Sequence, residues 1–192
     1  MTQLLMNRDL LAPAGCRPAA RQCKAPALVR AASRRPAAAR AVVVATTGFS
    51  GKDRMVLESQ IMALDGTMMT ELSDDVTHLV VNLNGEGQCP RTYKYLQSLL
   101  RGRWIVTRDW ITKSAKQGKW LEEAAFEVQA DSHGIAGVAA RARVNRESQL
   151  PQLFDGCQFY LHGDFENPSR QELITLIEMA GGKVLLLLLF FF

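Results

Sequence analysis

The chain has 192 residues, nearly half of them hydrophobic, and a formal charge of +4. That is enough for one ordinary domain and part of a second, and too apolar for a disordered chain. The charge is uneven: residues 1–40 hold seven Arg and one Lys against a single Asp, so they sum to +7 and the remainder to −3. Non-specific attraction to nucleic acid therefore belongs to the amino-terminal segment, and a nucleic-acid role for the rest is disfavoured. The four cysteines, Cys16, Cys23, Cys89 and Cys157, never take the two-residue spacing of a zinc knuckle or redox motif and read as reduced thiols of an intracellular protein.

Residues 1–40 are Ala- and Arg-rich, carry four of the seven prolines and lack a hydrophobic period. They read as a basic tail, either an organelle transit peptide or a flexible linker. "AVVVAT" (41–46) then reads as a buried strand closed by Gly48. In "KDRMVLESQIMAL" (52–64), Met55, Leu57, Ile61 and Leu64 recur at near-helical spacing. Asp65-Gly66 ends that helix, and "TMMTEL" (67–72) supplies a second strand. A third, "VTHLVVN" (76–82), carries no charge. The run "PRTYKYLQSLL" (90–100) predicts a helix with Pro90 in its first turn. "RWIVT" (103–107) is a fourth strand, and "RDWITKSAKQG" (108–118) a helix with Gly118 at its C-cap. This order predicts an α/β fold, a small mainly parallel sheet flanked by helices.

Residues 129–150, "QADSHGIAGVAARARVNRESQL", read as a Gly-containing linker followed by a short basic helix. Arg141, Arg143 and Arg146 are most simply its solvated face. Beyond it the plan of the first unit recurs. "VVVATTGFSGKDRMVLESQIMALDGTMM" and "CQFYLHGDFENPSRQELITLIEMAGGKVL" each run from a strand through a Gly and a Phe to a polar helix start, a helix, a closing Gly and a second strand. The turn glycine precedes the closing glycine by 18 residues in one copy and 19 in the other, which points to a duplicated unit. The second copy has no counterpart of residues 76–118. "VLLLLLFFF" (184–192) is too short to span a bilayer, which needs ~20 apolar residues, and reads as a low-complexity end from a truncated or misread gene rather than an anchor.

A Walker loop ending at Gly51-Lys52 needs Gly where Thr46 stands and a hydroxyl where Asp53 stands, so nucleotide binding fails and Lys52 is a solvated residue of the first helical turn. Taken alone, Thr47 is a cap for the first helix. Trp110 reads as core, Trp104 as packed near a sheet edge, and His78 as a satisfied strand residue with no triad spacing around it.

The Thr-Gly-Phe turn after the first strand, the "DG" and "GG" pairs, "THLVV" and "RWIVTRDWI" together resemble the BRCT domain family, fully over residues 41–128 and in part over 151–185. Two segments, "CPRTYKYLQSLLRGRWIVTRDWITKSAKQGKWLEEAAFEV" and "NRESQLPQLFDGCQFYLHGDF", resemble tandem repeats of that family. The resemblance implies a small parallel four-stranded sheet flanked by helices, followed by a truncated second repeat whose helix packs on the helix of residues 90–100. It also implies a binding module for phosphoserine or phosphothreonine peptides in a DNA-damage-response protein, without catalysis and without a cofactor. By the same resemblance, phosphate is held by Thr47, the Gly48 N–H and Lys94, one turn into its predicted helix, and Arg91 holds the peptide backbone near its third residue beyond the phosphate. The chemistry suits a phosphodianion: hydroxyl, main-chain N–H and ammonium donate from three directions. The implied partner is a phosphorylated protein, with a weak nucleic-acid contact through residues 1–40, no membrane and nuclear localisation, or an organelle if that tail is a transit peptide. The rival reading is a structural BRCT module that binds protein or DNA ends without recognising phosphate.

Overall fold

The computed structural model describes residues 41–185; the basic tail (1–40) and the low-complexity end (186–192) lie outside the described residues. Four strands, β1 (Val43–Thr47), β2 (Thr67–Met69), β3 (His78–Val81) and β4 (Trp104–Thr107), form one sheet in the order β2-β1-β3-β4. Every neighbouring pair is parallel, with Val44 opposite both Met68 and His78, and Val80 opposite Val106. Helices α1 (Gly51–Met62) and α2 (Tyr93–Leu100) make the crossovers from β1 to β2 and from β3 to β4, and α3 (Arg108–Gln117) follows β4.

Because successive strand residues face opposite ways, the sheet divides its apolar residues between two cores. Val44, Val80 and Val106 meet Leu57 and Ile61 of α1 and Trp110 and Ile111 of α3. Ala45, Leu79, Val81 and Ile105 meet Tyr95 of α2 on the other face. Trp110 is fully buried, stacked between His78 at 4.5 Å and Trp120 at 4.7 Å, and its indole N–H donates to the Leu121 carbonyl. His78 is satisfied on both ring nitrogens, by Thr77 Oγ1 at 2.7 Å and Glu123 Oε1 at 3.3 Å. Both readings from sequence stand.

In the sheet and its helices most bounds shift by two residues or fewer, and two shift by three. The strand predicted over 67–72 ends at Met69, because the chain then turns and its Thr70 carbonyl is taken by the Lys94 ammonium. The helix predicted from Pro90 begins only at Tyr93: Thr92 is the N-cap and its hydroxyl accepts from the Tyr95 N–H, so Pro90 precedes the helix.

The Arg-rich stretch also departs from the sequence reading. It forms α4 (Val138–Glu147), but Arg143 is not solvated. Its guanidinium forks onto both Glu127 oxygens at 3.0 Å and lies over the Trp104 ring at 3.7 Å, with the side chains of Arg143 and Glu127 only 11% and 6% exposed. The linker before α4 is equally anchored. Cys89 N–H donates to the Ala130 carbonyl and Ser132 N–H to the Cys89 carbonyl, while Asp131, 1% exposed, accepts from Arg91 and from the backbone of His133 and Ile135.

The second copy of the sequence plan supplies β5 (Gln158–Phe159), α5 (Arg170–Met179) and β6 (Lys183–Val184), with β5 and β6 parallel. α5 packs on α2, where Gln97 reaches Met179. The two copies share a physical reason for their closing glycine. Gly66 N–H donates to the Ile61 carbonyl and Gly182 N–H to that of Ile177, so each glycine folds back on the isoleucine five residues earlier. A Cβ on Gly66 would stand 2.9 Å from Ile61 Cγ2 and 2.7 Å from Trp120 Cζ2; one on Gly182 would stand 2.8 Å from Ile177 Cγ2.

Two predictions follow from this packing. Gly66→Ala forces a methyl into the contact between Ile61 and Trp120 and is expected to cost about 1–3 kcal/mol in urea unfolding; an unchanged midpoint would contradict the close approach. Burial pushes the Asp131 carboxyl up, but the hydrogen bonds from Arg91, His133 and Ile135 and the Arg91 charge outweigh it and hold the group below its ordinary 3.8. The folded state thus holds this proton less tightly than the unfolded chain. Ionised Asp131 stabilises the fold above the unfolded pKa, and that share is lost as pH falls through the lower folded pKa. The stability gap between the wild type and Asp131→Asn should therefore be widest above about pH 4 and narrow toward pH 2; a gap independent of pH would contradict the depressed value.

Candidate functional site

At the carboxyl end of β1 the chain must leave the sheet and start α1 within a few residues. Gly48 makes this turn with φ +80, and its carbonyl accepts from Asn82 Nδ2 at 3.0 Å. That φ is the left-handed region in which a side chain is strained, which is why glycine follows Thr47. The cap of α1 is Ser50, whose hydroxyl oxygen accepts from the Asp53 N–H at 3.3 Å, so the capping role read for Thr47 from its residue type is filled elsewhere.

Thr47 Oγ1 instead donates to Thr92 Oγ1 at 3.1 Å. That bond ties the end of β1 to the first turn of α2, and Lys94 is the second residue of that helix, nearer its start than the sequence reading put it. A hydroxyl can donate one hydrogen and accept on its lone pairs. Reversing the Thr47–Thr92 bond would leave Thr92 still accepting from Tyr95 N–H and free the Thr47 hydrogen for an anion. The amino ends of α1 and α2 lie on either side of this turn and add positive potential through their unpaired N–H groups.

The Lys94 ammonium donates to the Thr70 carbonyl, one of its three N–H bonds. Arg91 precedes Thr92 and is 31% exposed; its Nε and Nη2 donate to Asp131 Oδ2 at 2.9 and 2.7 Å. The structure therefore ties Thr47, and with it the Gly48 turn, to the α2 start, while the Lys94 and Arg91 side chains are engaged on Thr70 and Asp131, 24 and 40 positions away. Lys52 points to solvent in the first turn of α1. Asp53 beside it is held below its usual range by the Ser50 hydroxyl and, against a little burial, by the Arg108 guanidinium.

Sequence reasoning missed Thr92, Asp131 and Asn82. Thr92 had a legible signal, a hydroxyl residue just before a helical run, which the emphasis on Pro90 hid. Asp131 and Asn82 had none, because their roles depend on contacts with residues 40 and 34 positions away. Among the described residues, no group of three or more His, Cys, Asp and Glu could hold a metal ion, and no helix is long and apolar enough to cross a membrane.

Comparison with known proteins places the chain in a family. The BRCA1 C Terminus (BRCT) domain family matches residues 40–115 and 149–188. The BRCA1-associated RING domain protein 1 of Arabidopsis thaliana is 32% identical over 150 residues, 78% of this chain and 21% of that protein. The BREAST CANCER SUSCEPTIBILITY 1 homolog of the same plant is 33% identical over 144 residues, 74% of this chain and 15% of that protein. The human BRCA1-associated RING domain protein 1 is 31% identical over 144 residues, 75% of this chain and 17% of that protein. The chain thus spans about a fifth or less of the length of these relatives. Among solved structures, the BRCT5-BRCT6 domains of S. pombe Brc1 superpose with a TM-score of 0.56 at 22% identity, over 75% of this chain and 65% of that one, which shows a shared fold. The tandem repeats resembled by the segments around Arg91 and Phe154 are those of the breast cancer type 1 susceptibility protein and its RING-domain partner, whose names these relatives carry. With two separate stretches matched across more than half its length and the same four-stranded parallel sheet, the chain belongs to the BRCT domain family, whose members are in general non-catalytic protein-interaction modules.

Proposed function

We propose that this chain reads phosphorylated serine or threonine in a partner protein, as a non-catalytic module of a nuclear DNA-damage-response protein. In this reading residues 41–128 form the first BRCT repeat, 129–150 the connection and 151–185 part of the second repeat. The observation that carries it is the Thr47–Thr92 hydrogen bond, which sets a hydroxyl and the Gly48 turn beside the helix start that bears Lys94. Phosphoserine brings close to two negative charges and three acceptor oxygens. Thr47 Oγ1, Gly48 N–H and Lys94 Nζ each supply a donor, Lys94 exchanging or sharing its bond to the Thr70 carbonyl. Arg91 takes a main-chain carbonyl of the ligand beyond the phosphate. Residues 1–40, with their net +7, add a weak and salt-dependent attraction to nucleic acid that does not select the partner.

Fluorescence polarisation with matched phosphorylated and unphosphorylated serine peptides tests this. The wild type is expected to prefer the phosphorylated form, and Lys94→Met to remove that preference. A lost hydrogen bond to a charged group is worth about 1.5–3 kcal/mol, which corresponds to a loss of ten- to over a hundredfold. Thr47→Val, which keeps shape but removes the donor, should lose about tenfold. Lys52→Met deletes the same charge a short distance away and should change little. Equal binding of both peptides by the wild type, or equal losses in Lys52→Met and Lys94→Met, would leave a structural BRCT module instead.

A further inference from the structure

Arg91 carries a role in ligand binding only if its guanidinium is held in one orientation, and what holds it comes from the connection between the repeats. Asp131 divides its carboxylate cleanly. Oδ1 accepts the backbone N–H groups of His133 and Ile135 at 2.9 and 3.3 Å, which closes the local turn. Among the described residues Oδ2 accepts from Arg91 alone, at 2.9 Å from Nε and 2.7 Å from Nη2. The acid end is buried at 1% exposure, while the Arg91 side chain is 31% exposed. The fixed partner is therefore inside the fold and the guided one reaches solvent. The turn that presents Asp131 is itself hydrogen-bonded to Cys89, two residues before Arg91, so acid and base ride on one paired backbone unit.

We infer that Asp131 is a positioning residue for ligand recognition: it engages the Nε and Nη2 donors of Arg91 and leaves Nη1 to meet a main-chain carbonyl of an extended phosphopeptide. The inference rests on the phosphopeptide reading above. It makes the segment between the repeats part of the ligand-reading apparatus, because a displacement of residues 129–137 moves Arg91. A guanidinium gripped at two nitrogens has also lost its rotational freedom before the ligand arrives, so less ordering is left to oppose binding.

Asp131→Asn isolates the effect. Its amide oxygen can still accept from His133 and Ile135, while its NH2 faces the guanidinium donor to donor. Two phosphoserine peptides serve as probes, one ending at the residue after the phosphoserine and one continuing for four residues. Asp131→Asn is expected to weaken the longer peptide about tenfold and the shorter less than twofold. Arg91→Gln should behave alike, and the double variant should bind the longer peptide no more weakly than Arg91→Gln alone, since Asp131 acts through Arg91. Equal losses on both peptides, additive losses in the double variant, or no loss at all would overturn the inference. If urea unfolding shows Asp131→Asn unfolded, Arg91→Lys replaces it, keeping the charge but not the two-nitrogen grip; it must lose affinity for the longer peptide alone. A wild type blind to phosphorylation overturns the phosphopeptide reading itself. A wild type whose preference depends on Lys94 but not on Asp131 overturns this inference only.

Discussion

All strands of the central sheet run the same way, and this one constraint decides where everything else sits. Parallel strands need crossovers, so each strand's carboxyl end and the amino end of the helix that follows share one edge of the sheet. Thr47 at the end of β1, Asn82 just past β3 and Thr107 at the end of β4 therefore lie along that edge. The turns of α1, α2 and α3 begin beside them. A hydroxyl, a glycine turn and the first turn of α2 meet there because this edge gathers the amino ends of the helices with their free N–H groups. The same topology buries both sheet faces, which is why β3 is buried at every position and reads as an unbroken apolar run around His78.

The closing glycines show how a duplicated plan is kept by packing. In each copy a helix ends, the chain reverses and the next strand starts beside the first. That reversal brings the backbone onto an isoleucine of the helix just finished, Ile61 in one copy and Ile177 in the other. Any side chain at the glycine would push helix and strand apart. The helix starts are matched as well: Ser50 and Ser169 cap α1 and α5, each with an acidic residue three positions on that accepts its hydroxyl. The second copy is held less deeply. Its helix contributes Ile177 to the interior, and among the described residues its strands are two residues long and pair with each other alone.

Two buried or half-buried ion pairs join residues 129–150 to the unit built on the four-stranded sheet. Glu127–Arg143 is dry and bidentate, with Trp104 stacked beneath the guanidinium; Asp131–Arg91 is dry at one end and open at the other. Desolvating such charges costs several kcal/mol, so neither pair is an efficient way to gain stability. Each fixes geometry. The first lays α4 across Trp104 at the edge of the sheet, where Val106 also bridges to Glu127 and closes off the outermost strand. The second ties the loop at 129–137 to the residue beside the α2 cap.

The sequence alone determined the alternation of strands and helices, the duplication and the local Thr-Gly turn, because these are written in periodicity and in residues a few positions apart. It also placed Trp110 and His78 correctly, since a large aromatic and a charge-free strand have few other places to go. Tertiary structure decided what depends on distance across space. Thr70 ends β2 early because Lys94 takes its carbonyl, and Thr92 rather than Pro90 starts α2 because its hydroxyl faces both Tyr95 and Thr47. Arg143 reads in sequence like any residue of a solvated basic helix, yet Glu127 and Trp104 draw it inside. Asp131 carries no local signal at all: its meaning comes from Arg91, 40 positions earlier, and only folding brings that carboxylate and that guanidinium together.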